Sequence, residues 1–136
     1  MKNKVFLFFF VAAMTSLTAV AEEAVNKMSF VVGGPERSYN QVRVVNHSSY
    51  SDFQCRVVFL NDHNSFKEAY GTYYLKGYDD SDSNSITVYQ GMHLGIQMAK
   101  DFEGDVVFEV EYKDYPFYDV ILIYIKNRSA SFEDGF

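Results

Sequence analysis

Apolar and polar residues alternate with period two along most of this chain, and no apolar stripe of helical spacing runs beyond two turns. Eight runs read as strands. Met28, Phe30 and Val32 alternate with Ser29 and Val31 until Gly33-Gly34-Pro35 breaks the run. Gln41 to Asn46 sets Val42 and Val44 on one face. Phe53, Cys55, Val57 and Phe59 then alternate with Gln54, Arg56, Val58 and Leu60, and Asn61 to Ser65 reads as a turn. From Glu68 to Lys76, Ala69, Gly71, Tyr73 and Leu75 oppose Tyr70, Thr72 and Tyr74. Ile86 to Tyr89 and His93 to Met98 are two short strands around Gln90-Gly91. After Asp105, Val106, Phe108, Val110 and Tyr112 point inward while Glu109, Glu111 and Lys113 meet water. Phe117 to Lys126 is apolar on both faces, with Val120, Leu122 and Tyr124 opposite Ile121, Ile123 and Ile125, so this strand must be central or covered. Tyr112 and Tyr124 are both read as inward.

Turn signals at near-regular spacing between short strands predict an all-β, single-domain antiparallel β-sandwich of about eight strands, an immunoglobulin-like Greek key. A small closed β-barrel is the alternative. A barrel in an outer membrane is rejected, because the strands fall short of the span a bilayer requires and Glu133 and Asp134 interrupt any lipid-facing alternation near the end.

The first residues follow another rule. Lys2 and Lys4 precede the apolar run Val5 to Met14, and Ala19-Val20-Ala21 precedes Glu22-Glu23. A run this short does not span a bilayer, and small residues at −3 and −1 suit a signal peptidase. Residues 1–21 are therefore expected to be a removed signal peptide, 22–126 the folded domain and 127–136 a flexible tail. The expected product is secreted or periplasmic, with no transmembrane anchor in the mature chain. Loss of Lys2 and Lys4 takes the formal charge from −6 to −8. Such acidity, with no basic run, argues against a nucleic-acid partner.

Chemistry-bearing motifs are sparse. Cys55 is the only cysteine, so no internal disulfide forms, and a buried strand position is the expectation. In the loop Asp79 to Ser85, Asp80, Asp82 and Asn84 stand at the alternating positions of a calcium loop, but Ser85 and Gly91 occupy the places of its glycine and bidentate glutamate. The expectation is no cofactor, with calcium at Asp80, Asp82 and Asn84 as a weak alternative. His47, His63 and His93 have no zinc spacing, no nucleophile elbow is present, and the pair Glu109 and Glu111 reads as a solvated strand face. The chain is not expected to be an enzyme. Asn46-His47-Ser48 and Asn127-Arg128-Ser129 match the glycosylation acceptor pattern, which arises readily by chance in a chain rich in Asn and Ser.

Aromatic residues carry the functional expectation. Eleven tyrosines remain after the leader is removed, and there is no tryptophan. Tyr70, Tyr74 and Tyr78 would line one exposed face and its following turn, while Tyr115, Phe117 and Tyr118 surround Pro116. Tyrosine suits recognition because it presents a large area with few rotors to freeze. The pattern predicts a non-catalytic exported protein that binds another protein through these residues, for instance an inhibitor or immunity protein against a secreted or envelope enzyme. A carbohydrate-binding module, calcium-stabilised or not, and a structural subunit of a surface assembly are the alternatives.

Overall fold

The computed structural model describes residues 23–24, 26–60 and 68–128. The predicted signal peptide and His63 lie outside them. The described chain is all-β, with eleven strands: β1 (Glu23–Ala24), β2 (Lys27–Val31), β3 (Ser38–Tyr39), β4 (Gln41–Asn46), β5 (Phe53–Phe59), β6 (Glu68–Leu75), β7 (Ser81–Asn84), β8 (Val88–Tyr89), β9 (His93–Met98), β10 (Val106–Asp114) and β11 (Asp119–Asn127). They form a five-stranded sheet in the order β1-β2-β9-β5-β6, a four-stranded sheet in the order β10-β11-β4-β7, and the small pair β3-β8. Among the described residues no helix is long and apolar enough to cross a membrane.

Among the described residues both larger sheets end in open edges and no closed barrel is formed. The expected all-antiparallel pairing also needs correction. β11 runs parallel to β4, with Ile121 opposite Val42 and Ile123 opposite Val44. Parallel neighbours need a long crossover, and here the whole segment between β4 and β11, including most of the other sheet, supplies it.

One hydrophobic core lies between the two sheets. Met28, Phe30, Leu94, Ile96, Cys55, Val57, Tyr73 and Leu75 come from the five-stranded sheet, and Val42, Val44, Ile121, Ile123 and Ile125 from the four-stranded one. Each fully buried Ile or Val contributes roughly 1.5–3 kcal/mol over its exposed state. The doubly apolar run resolves as a central strand: β11 lies between β10 and β4, and Val120 and Leu122 on its second face are buried as well. In β5 the alternation fails at a β-bulge. Val57 pairs with Gly71 but Val58 pairs with Ala69, so Tyr70 is the extra residue on β6; Val57 and Val58 are both buried, and Phe59 is exposed.

β7 overturns the reading of Asp79 to Ser85 as a plain loop. Ser81 to Asn84 pairs antiparallel with β4 from Val45 to Val42. Its polar alternation is that of an edge strand, since only one side is paired. At the opposite end from the β10–β11 turn, fully buried Asn46 is a polar junction. Its Nδ2 donates to the carbonyls of Tyr50 and Gly77, each at 2.8 Å, and its Oδ1 accepts from Ser48 N–H at 2.9 Å and Ser48 Oγ at 2.5 Å. A glycan on that nitrogen would displace both carbonyls. β11 includes Asn127, and Arg128 donates from Nε to Asp105 Oδ1 at 2.7 Å; residues 129–136 lie outside the described part.

Candidate binding surface

The hairpin of β10 and β11 carries the most exposed apolar side chain of the described residues. Its nine strand pairs run from Val106 opposite Asn127 to Asp114 opposite Asp119, leaving Tyr115-Pro116-Phe117-Tyr118 as the turn. Tyr115 N–H donates to the Tyr118 carbonyl at 2.9 Å, which closes the turn tightly. The Tyr115 and Tyr118 rings lie 5.2 Å apart at a tilt of 33°. Between them Phe117 projects with 92% of its surface exposed. Pro116 restricts φ, so the tip is held rather than loose.

The register places a second set of groups below this tip. Because Phe108, Val110 and Tyr112 pack against the core, Glu109 and Glu111 share the outward face of the four-stranded sheet with their cross-strand partners Tyr124 and Leu122. Tyr124 is therefore not on the inward face assigned to it from sequence; Ile123 and Ile125 fill that side. Its hydroxyl donates to Glu111 Oε1 at 2.7 Å, and its ring lies 4.9 Å from that of His47. The hydrogen bond to the Glu111 carboxylate, with lesser effects from desolvation and from Glu111, Tyr115 and Glu109, pushes the Tyr124 phenol up to about 12. Lys126 pairs with Glu109, and His47 Nε2 lies 3.9 Å from Asp79. His47, Glu109, Val110, Glu111, Tyr124 and Lys126 line one open groove of about 400 Å³.

The aromatic residues singled out from sequence thus divide. Tyr115, Phe117 and Tyr118 come together at the hairpin tip. Tyr74 and Tyr78, both well exposed, lie at the other end, near Gly77, whose carbonyl is bound by Asn46 opposite Ile125. From Asp119 to Ile125 a strand advances about 20 Å, so the two clusters are not one face. Tyr74 donates to Asp52 Oδ1 at 3.3 Å, and the Asp52 charge raises its pKa. The backbone of Tyr70 is the β6 bulge; its side chain lies outside the described residues.

Asp80, Asp82 and Asn84 serve the junction between the sheets. Asp80 Oδ2 accepts from Lys76 N–H at 3.1 Å and Asp82 Oδ2 from Tyr74 N–H at 3.4 Å, so side chains satisfy donors on the edge strand β6 and on the residue that follows it. Asn84 lies beside the buried Tyr73 hydroxyl without a well-formed hydrogen bond between them. The carboxylates that converge are others: oxygens of Glu36, Asp114 and Asp119 lie within 4.8 Å of one another, where Asp114 and Asp119 form the strand pair next to the hairpin tip. A hydrogen bond with Asp114 leads the upward shift of the Asp119 carboxyl, with desolvation and the negative charges of Glu36 and Asp114 adding to it. Cys55 is buried, and desolvation pushes its thiol up to about 12.

The sequence reading did not connect Glu109, Glu111, Tyr124, Lys126 and His47. Alternation put both glutamates on a wet face, but nothing local tied that face to His47, 62 residues before Glu109. No protein-family model matches the chain, and no curated protein or solved structure does either.

Proposed function

We propose that this chain is an exported, non-catalytic binding protein that recognises another protein through the β10–β11 hairpin tip. The observation carrying the reading is Phe117, 92% exposed on a turn closed by a backbone hydrogen bond and flanked by the paired Tyr115 and Tyr118 rings. An apolar ring left in water on a preorganised support loses little entropy when it enters a partner's pocket. The leader pattern through Ala21 supports export, and the acidic chain favours a basic partner. Two sheets sharing one core support a β-sandwich of the immunoglobulin-like kind as the scaffold. An inhibitor or immunity protein for a basic secreted or envelope enzyme is the concrete form of this function, with the hairpin entering the enzyme's cleft.

The test is capture of envelope and secreted proteins on the immobilised protein, beside the Phe117→Ala and Tyr74→Ala variants. The expected result is a stoichiometric partner retained by the parent and by Tyr74→Ala but lost by Phe117→Ala, which removes about 2 kcal/mol or more of a buried anchor. Equal retention by the Phe117→Ala variant, with its melting temperature unchanged, would show that the tip is not the binding element.

A further inference from the structure

We propose that the groove on the outward face of β10 and β11 is a seat for one arginine side chain of the protein partner, with Glu111 as its carboxylate and Tyr124 as its aromatic wall. This rests on the protein-binding reading above and specifies the partner's chemistry.

Charge in the groove is not balanced. Glu109 is neutralised by Lys126, but Glu111 is bound by the neutral hydroxyl of Tyr124 and, among the described residues, has no basic group within ion-pair distance. One phenol proton occupies one of the carboxylate's several acceptor positions and leaves its charge in place. Asp79 adds a further negative charge next to His47.

Shape and ring chemistry favour a planar cation. The Tyr124 ring is held between its hydrogen bond to Glu111 and the His47 ring, so it is positioned without any ligand. A guanidinium can lie against an aromatic ring while directing paired N–H groups at a carboxylate, which an ammonium cannot do with the same geometry. Neutral sugar hydroxyls would leave the net charge of the groove uncompensated. The groove also lies on the hairpin that ends in Phe117, with Tyr124 five residues or about 17 Å along β11 from Asp119, so the arginine and the pocket for Phe117 would be separate parts of one partner surface.

Titration of the purified protein with N-acetyl-L-arginine methylamide, followed by amide NMR, tests this. Saturable shifts are expected at Glu109 to Glu111, at Tyr124 and at His47, with an affinity on the order of millimolar for so small a probe. The lysine analogue should bind more weakly. Glu111→Gln should weaken arginine binding about tenfold through loss of a charge-assisted pair. Lys126→Met should strengthen it, because Glu109 is then released to the ligand, and a gain cannot come from misfolding. An absence of shifts, equal binding by Glu111→Gln, or saturation by an N-acetylglucosamine trimer but not by arginine would each overturn the assignment. The two readings fail separately: a partner lost with Phe117→Ala but a groove silent to arginine refutes only the seat, and an arginine-binding groove with no Phe117-dependent partner refutes only the proposed function.

Discussion

Replacing Asn46 by alanine should destabilise this protein more than its small polar side chain suggests. Asn46 is fully buried, and its amide makes four hydrogen bonds, to the carbonyls of Tyr50 and Gly77 and from the N–H and hydroxyl of Ser48. At about 1 kcal/mol net for each bond, with some recovery by water at the partly buried partners, the expected loss is about 3 kcal/mol. For a domain of this size, with a urea m-value of roughly 1–1.5 kcal/mol/M, that corresponds to a midpoint lower by about 2–3 M at unchanged slope. Asn46→Asp should be worse near neutral pH, since a carboxylate would face the same two carbonyls and two donors would be lost. Burial would raise the introduced carboxyl above its unfolded value of about 3.9, so the native state would hold a proton that the unfolded state releases, and the penalty should grow as pH rises above about 4. Ser49→Ala is the control. It removes one exposed bond, from the Ser49 hydroxyl to Asn127 Oδ1, keeps the one from the Ser49 N–H, and should cost about 0.5 kcal/mol or less. Equilibrium urea unfolding of the three variants decides the matter. A loss below about 1 kcal/mol for Asn46→Ala, or one no larger than for Ser49→Ala, would refute the view that this buried amide ties the loops to the sheet end.

Other consequences are open to simple assays. Cys55, buried with its thiol pushed up to about 12, should not react with a disulfide reagent in the native protein at pH 8 but should react fully in denaturant; rapid native labelling would contradict the packing. Tyr73→Phe removes a buried hydroxyl with no well-formed partner, so stability near pH 7 should change by about 1 kcal/mol or less in either direction. The same change should reduce alkaline destabilisation: burial holds the Tyr73 proton up to about 12, the unfolded chain releases it near 10, and the native state therefore loses stability as pH rises from 10 through 12. Urea midpoints of the two proteins at pH 9 and 11 would show it. Gly34→Ala should lower the thermal midpoint, because φ is +83° and an added Cβ would collide with the Tyr39 hydroxyl and the Tyr112 ring; these effects together exceed about 1 kcal/mol, and an unchanged midpoint would be inconsistent with them.

Much of the scaffold was readable along the chain because the period of two is a local property. Gln41 to Asn46 is a strand with the bounds its pattern predicts, and the apolar side chains of β10 pack inward as their alternation requires. Pairing is not local. Nothing in Gln41 to Asn46 states that it will run parallel to a strand 78 residues later, and the polar run Ser81 to Asn84 becomes a strand because β4 has a free edge to bond. The bulge at Tyr70 likewise appears only when β5 and β6 are set in register.

The same division holds for the site. Tyr115, Phe117 and Tyr118 were visible as a cluster because neighbours around a proline turn must meet. Tyr124 was assigned to the wrong side, since a strand apolar on both faces carries no mark of which face will meet the other sheet; only the packing of Ile121, Ile123 and Ile125 into the core shared with the five-stranded sheet turned Tyr124 outward to Glu111 and His47. Residues along the chain specify which positions share a face, because the pleat dictates that within a few residues. Which face is buried, and which distant charges then gather on the other, follows from long-range pairing, whose energy exists only once the sheets have assembled.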